Sequence, residues 1–159
     1  MNVILALYPN ARGLGYVCLE APQKLIEHGV ITIRPICNAP LLRRIEHFLE
    51  FFRPHVVILR DGEHLPEKCS RVKGLLEEIT QLAQAKNIPV QAYSREQMKD
   101  VFSTFNTSTK YEIAQKLIEW FPELESIAPK IRKPWESEAY YMGVFDALSL
   151  GLTHLYLMD

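Results

Sequence analysis

The sequence has little of several things, and each shortage narrows its reading. Its 159 residues hold only three cysteines, Cys18, Cys37 and Cys69. They form no CxxC pair and no cluster with histidine, which excludes a disulfide framework and a zinc ribbon. Scattered thiols of this kind suit a reducing cytosol and are expected to be small buried or half-buried side chains. Positive charge is not in surplus either: 18 Lys and Arg stand against 19 Asp and Glu, a formal net charge of -1. Dedicated nucleic-acid binders draw much of their affinity from a basic surplus, so any such role here must rest on local patches. No apolar run is long enough to span a bilayer. Pro9 and Arg12 follow the first apolar run where a signal peptide would carry small residues, so neither a membrane segment nor a leader is expected. Repeats, low-complexity tracts and linkers are also missing. What remains, 48% hydrophobic and 23% charged, describes one cytoplasmic globular domain over residues 1–159.

The chain is organised around its first strand, 2–8, a nearly continuous apolar run that predicts burial on both sheet faces. Pro9, Asn10 and Gly13 make the turn into a second strand, 14–19, and a third runs 24–34 with Gly29 as a candidate bulge. From Asn38 or Pro40 to Phe52 the apolar residues take helical spacing. Residues 55–59 form another buried strand, 67–87 a second helix, and 88–93 a fifth strand whose Pro89 points to a sheet edge. Ser94 and Gln97 have the spacing of a capping box for a short helix through Val101. Another helix covers 109–121, where Lys110 and nearby hydroxyls make either a phosphate site or a plain helix cap. Residues 122–134 read as a loop, and a last helix runs from Trp135 or Glu136 to about Leu152. A strand reached from an earlier one through a helix is expected to lie parallel to it. That would bring Arg60 and Asp61 out at the same sheet edge as Tyr8.

Leu5 to Tyr16, Arg53 to Arg60, Thr109 to Ala114 and Phe145 to Leu150 together resemble, in order and over nearly the whole chain, the RuvC-type Holliday-junction resolvases. The resemblance implies an α/β, ribonuclease H-like fold: a five-stranded mixed sheet in the order 3-2-1-4-5, flanked by helices. It also implies a homodimer acting on branched DNA, with magnesium or manganese held by four carboxylates. Two divalent ions ~4 Å apart need several anionic oxygens around them.

This sequence departs from that pattern at the acids. The family's first Asp falls on Tyr8, whose phenol carries no charge at neutral pH. Its Glu falls on Arg60, and one of its two last-helix Asp falls on Gly143. Asp146 is kept, and Asp61 is displaced by one residue along a strand, where side chains alternate faces. Asp61 and Asp146 are therefore the candidate catalytic and metal-binding residues, and Lys110, Arg12, Arg132 and Lys133 the candidate substrate-binding ones. Glu138, two helical turns before Asp146, is expected about 12 Å away along the axis and unable to replace the lost acid. Glu136 and Glu138 are assigned instead to the helix dipole. His64 is the one aromatic side chain offered for stacking in the loop after the fourth strand. The leading expectation is a resolvase-like nucleic-acid-binding protein with weak or absent nuclease activity. Its alternatives are a nuclease rearranged around Asp61, Glu63, Asp146 and Glu138, and a protein-interaction module that keeps only the fold.

Overall fold

The computed structural model describes residues 2–158, apart from Pro22, His64 and Pro134. The central strand β1 spans Val3–Pro9, and Ile4 to Leu7 have no exposed surface at all. It pairs antiparallel with β2, Gly13–Glu20, which pairs antiparallel with β3, Lys24–Thr32. On its other side β1 pairs parallel with β4, Val56–Arg60, and β4 parallel with β5, Val90–Tyr93. The sheet order is β3-β2-β1-β4-β5, the expected ribonuclease H-like order, with the Pro89 strand at an edge.

Helices cover both faces, so β1 divides its side chains between two cores. Leu5 and Leu7 pack with α1, Asn38–Phe52, and α2, Ser70–Ala85. Ile4, Ala6 and Tyr8 pack with α3, Arg95–Ser103, α4, Lys110–Trp120, and α5, Met142–Leu157. Both α3 and α4 begin in full capping boxes, Ser94 with Gln97 and Thr109 with Glu112. The first turn predicted for α2 is a separate 3₁₀ turn, Glu67–Cys69, and the loop after α4 begins as a 3₁₀ segment, Pro122–Ile127. Among the described residues no helix is long and apolar enough to cross a membrane. Of the thiols, Cys18 is buried and Cys69 intermediate, but Cys37 is exposed. Burial pushes the Cys18 thiol up to about 12.

Two expectations about local structure need correction. The bulge lies at Ile26, not Gly29: Cys18 faces Glu27 and Leu19 faces Leu25, so Ile26 is the extra residue. Gly29 pairs regularly with Tyr16, and its missing side chain makes room for the Tyr16 ring. The larger correction is α5, which starts at Met142 rather than near Trp135 and continues to Leu157. A helix through Glu138 would use its carbonyl as the acceptor for Met142. Instead Arg12 Nη2 donates to that carbonyl at 3.3 Å, and the Met142 amide donates to Ala139 at 3.0 Å. Tyr140 is also held, its hydroxyl 3.1 Å from Thr32 Oγ1 on β3. Tertiary contacts thus hold 136–141 as a strap across the sheet end. Neither Glu136 nor Glu138 sits at a helix N-terminus.

The start of α5 lies directly on β2. A Cβ on Gly15 would overlap the carbonyl of Gly143, and one on Gly143 would stand 3.1 Å from Gly15 Cα. Glycine is required at position 15 by so close a backbone approach, and at position 143 a side chain would fit only if the strand gave by a few tenths of an ångström.

Candidate functional site

Because β1 and β4 are parallel, Tyr8 and Arg60 emerge together at their C-terminal ends, as the strand order predicts. Tyr8 is 6% exposed, and the Arg60 guanidinium lies 4.3 Å from its ring centroid. Arg60 Nη1 also donates to the Pro9 carbonyl at 2.7 Å. Stacking on a ring face and a short bond to the backbone fix the guanidinium across the end of β1.

Lys110 enters from the first turn of α4. Its Nζ lies 3.0 Å from Glu138 Oε2, 3.3 Å from Asp146 Oδ2 and 5.8 Å from the Tyr8 ring centroid. Asp146, with a side chain only 5% exposed, also faces Arg95 Nη1 at 3.9 Å. Burial pushes the Asp146 carboxyl up from its ordinary range, against the pull of Lys110 and Arg95. Burial disfavours the Lys110 ammonium, but Asp146, Tyr8 and Glu138 together outweigh it and hold Lys110 above its usual value. Burial likewise raises the Tyr8 phenol, helped by Asp146 and opposed by Arg60 and Lys110, so Tyr8 stays neutral at pH 7.

These groups line a cleft of about 450 Å³ at the sheet edge. Four cationic side chains, Arg60, Lys68, Arg71 and Lys110, face two carboxylates, Glu138 and Asp146. Arg71 is fixed there by bonds to the Asn10 carbonyl at 2.7 Å and Asn38 Oδ1 at 2.9 Å. Arg71, Lys68 and Arg95 were not singled out in the sequence. A usable signal existed for Arg95: it follows a strand parallel to β4, so it must emerge at the same edge.

The candidate residues do not all converge. Asp61 faces a neighbouring cleft shared with Tyr8, Arg60 and Arg95, and its carboxylate accepts the Glu63 N–H at 2.9 Å. Asp146 does not line that cleft. Lys110 is bound by two carboxylates, and the Thr109 hydroxyl accepts the Glu112 N–H as a helix cap. Arg12 is tied to the Glu138 carbonyl, Arg132 Nη1 donates to the Glu136 carbonyl at 2.7 Å, and Lys133 Nζ lies 5.4 Å from the Trp135 ring centroid. Glu138, placed far from Asp146 on the expectation of one long helix, shares Lys110 with it because the strap folds back. His64, the stacking candidate, lies outside the described residues.

This donor set does not suit a pair of divalent ions. A guanidinium lies over Tyr8, an ammonium sits between the two nearest carboxylates, and Asp61 is engaged elsewhere. Among the described residues no group of three or more His, Cys, Asp or Glu side chains is arranged to hold a metal ion. The arrangement offers fixed positive charge to an anion rather than carboxylate oxygens to a cation.

No known family model matches the sequence, and no curated protein matches it. Solved structures do. The chain superimposes on Thermus thermophilus RuvC bound to a Holliday-junction substrate with a TM-score of 0.71 and 20% identity, covering 99% of this chain and 96% of that one. A second T. thermophilus RuvC structure gives 0.67 and 22%, covering 98% and 95%. The fowlpox virus Holliday junction resolvase gives 0.53 and 14%, covering 99% of each chain. The protein has the RuvC-like, ribonuclease H-like fold over nearly its full length.

Proposed function

We propose that this protein binds branched DNA through a cationic cleft and does not cleave it by metal-dependent hydrolysis. The observation that carries the reading is the Arg60–Tyr8 stack beside the Lys110 bridge between Glu138 and Asp146. By the resemblance, these groups stand at the positions of a metal centre. The neighbours' fold and the junction bound to one of them support the choice of DNA. Backbone phosphate would be drawn to Arg60, Lys68 and Arg71 in the cleft, with Arg12, Arg132 and Lys133 extending the path along the strap. Homodimerisation, a cytoplasmic location and the two-fold match to a four-way junction belong to this same reading.

The test is a mobility-shift and cleavage assay on four-way junction and duplex DNA, with magnesium, manganese or EDTA. The expected result is junction binding that survives EDTA, weakens steeply with salt and yields no cleaved strands. Lys68→Ala, Arg132→Ala and Lys133→Ala are each expected to lower the log–log salt slope by about one. Brisk cleavage abolished by Asp61→Asn or Asp146→Asn would establish the rearranged nuclease instead, with those two acids as its metal ligands. Absence of binding to either DNA at low salt would leave the interaction module.

A further inference from the structure

The strap and the residues just before it carry an unusual set of surface side chains. Trp135 and Ile131 are each 78% exposed, Tyr140 50% and Tyr141 43%. Lys130, Arg132 and Lys133 are exposed among them. Large apolar side chains left in water together on one segment mark a binding surface more often than chance. Lys130, Arg132 and Lys133 gather on the N-terminal side of Trp135, with Glu136 and Glu138 after it, so the cations stand beside the leading ring, which suits a polyanion with flat apolar faces.

The rings are also held in place. The Glu136 N–H donates to the Lys133 carbonyl at 3.0 Å and Arg132 to the Glu136 carbonyl at 2.7 Å, which ties the backbone beside Trp135. Tyr140 is anchored to Thr32, and Tyr141 packs edge-on against it with centroids 4.9 Å apart. Glu138, between the two aromatic sites, reaches Lys110 in the cationic cleft. The segment that carries the aromatic residues thus abuts the cleft.

We propose that Trp135, Tyr140 and Tyr141 form a stacking platform for unpaired nucleobases of DNA, with Trp135 as its leading ring and Lys130 and Lys133 on the flanking phosphates. The inference rests on the DNA-binding reading above. Stacking on an aromatic side chain is sequence-tolerant and contributes roughly tenfold or more per base. It would let the protein prefer junctions with unpaired nucleotides at the branch over continuous duplex.

The sequence has two tryptophans, and Trp120 is half-buried, so a Trp120→Phe protein leaves Trp135 as the reporter. Its fluorescence is titrated with a gapped four-way junction, with the same junction carrying abasic sites in the gap, and with blunt duplex. Quenching by the base-bearing gap alone is expected, with affinity at least tenfold above duplex. Trp135→Ala is expected to erase that preference and Trp135→Phe to keep it, both with unchanged melting temperature. Equal quenching by abasic and base-bearing gaps, or a gap preference that survives Trp135→Ala, would overturn the platform while junction binding stands. No binding to any of the three at low salt would overturn both the platform and the reading beneath it.

Discussion

At Lys110 two carboxylates converge on one ammonium, so the substitutions possible there are not equivalent. Lys110→Met leaves Asp146 buried with only the 3.9 Å contact to Arg95. Removing one partner of a buried pair costs about 3–5 kcal/mol, and about 3 is expected here because the Lys110 side chain is 32% exposed. Asp146→Asn removes the charge that burial penalises and leaves Lys110 on Glu138, at an expected cost below about 1 kcal/mol. Urea titrations at pH 7 compare the two, and a reversed order would show that the bridge is not what holds this edge. Alkaline pH tests the same cluster. Tyr8 and Lys110 both have folded values above their ordinary ones, so their contribution is complete below about pH 10 and is lost as pH rises through the raised values. Melting temperature is expected to fall beyond that point, and Tyr8→Phe to soften the fall; Tyr16 and Tyr93, raised in the same direction by burial, retain part of it. The sequence made Tyr8, Arg60 and Asp146 legible here because strand ends and a helix register place them. It hid the bridge to Glu138, which depends on where a backbone leaves helical geometry.

The elements that were easiest to foresee are those whose burial pattern is strongest. β1 is apolar throughout and β4 is apolar as far as Leu59, and α1 and α2 repeat at helical spacing, so two strands and two helices follow from pattern alone. The start of α5 is not legible because nothing local stops a helix across 135–141. The contacts that oppose one come from residues distant in sequence, Arg12 on the Glu138 carbonyl and Thr32 on the Tyr140 hydroxyl. The caps were legible, being local chemistry. Thr109→Ala is expected to cost about 1 kcal/mol in chemical denaturation, because it deletes the acceptor for the Glu112 amide. Backbone amides of Ser108 and Thr109 hold the Glu112 carboxyl below its usual range. Its contribution is thus present above the ordinary Glu value and is lost as pH falls through the lowered one. Acid titration followed by circular dichroism is expected to show less acid sensitivity in Glu112→Gln, which keeps a side-chain acceptor without the charge.

For the molecule as a whole, the near-zero net charge conceals an uneven distribution. Cations gather at one end of the sheet, so association with DNA is expected to be steeply salt-dependent despite a formal charge of -1. A homodimer is expected in light scattering at micromolar concentration. Phe51, 71% exposed on α1 and stacked with His47, is a candidate contact, and Phe51→Asp is expected to shift the population to monomer. A monomer before any substitution would remove that expectation. The glycine contact between β2 and α5 bears on a different matter, which is reversibility. Placing carboxylates at positions 8, 60 and 143 is, on paper, three substitutions. Tyr8→Asp and Arg60→Glu alter side chains at the ends of β1 and β4, but Gly143→Asp places a Cβ 3.1 Å from the Gly15 backbone and about as close to Asn10. Helix and strand must give by a few tenths of an ångström before that third acid fits. The contact therefore sets an order of change: the first two substitutions leave it alone, and only the third has to move backbone against backbone.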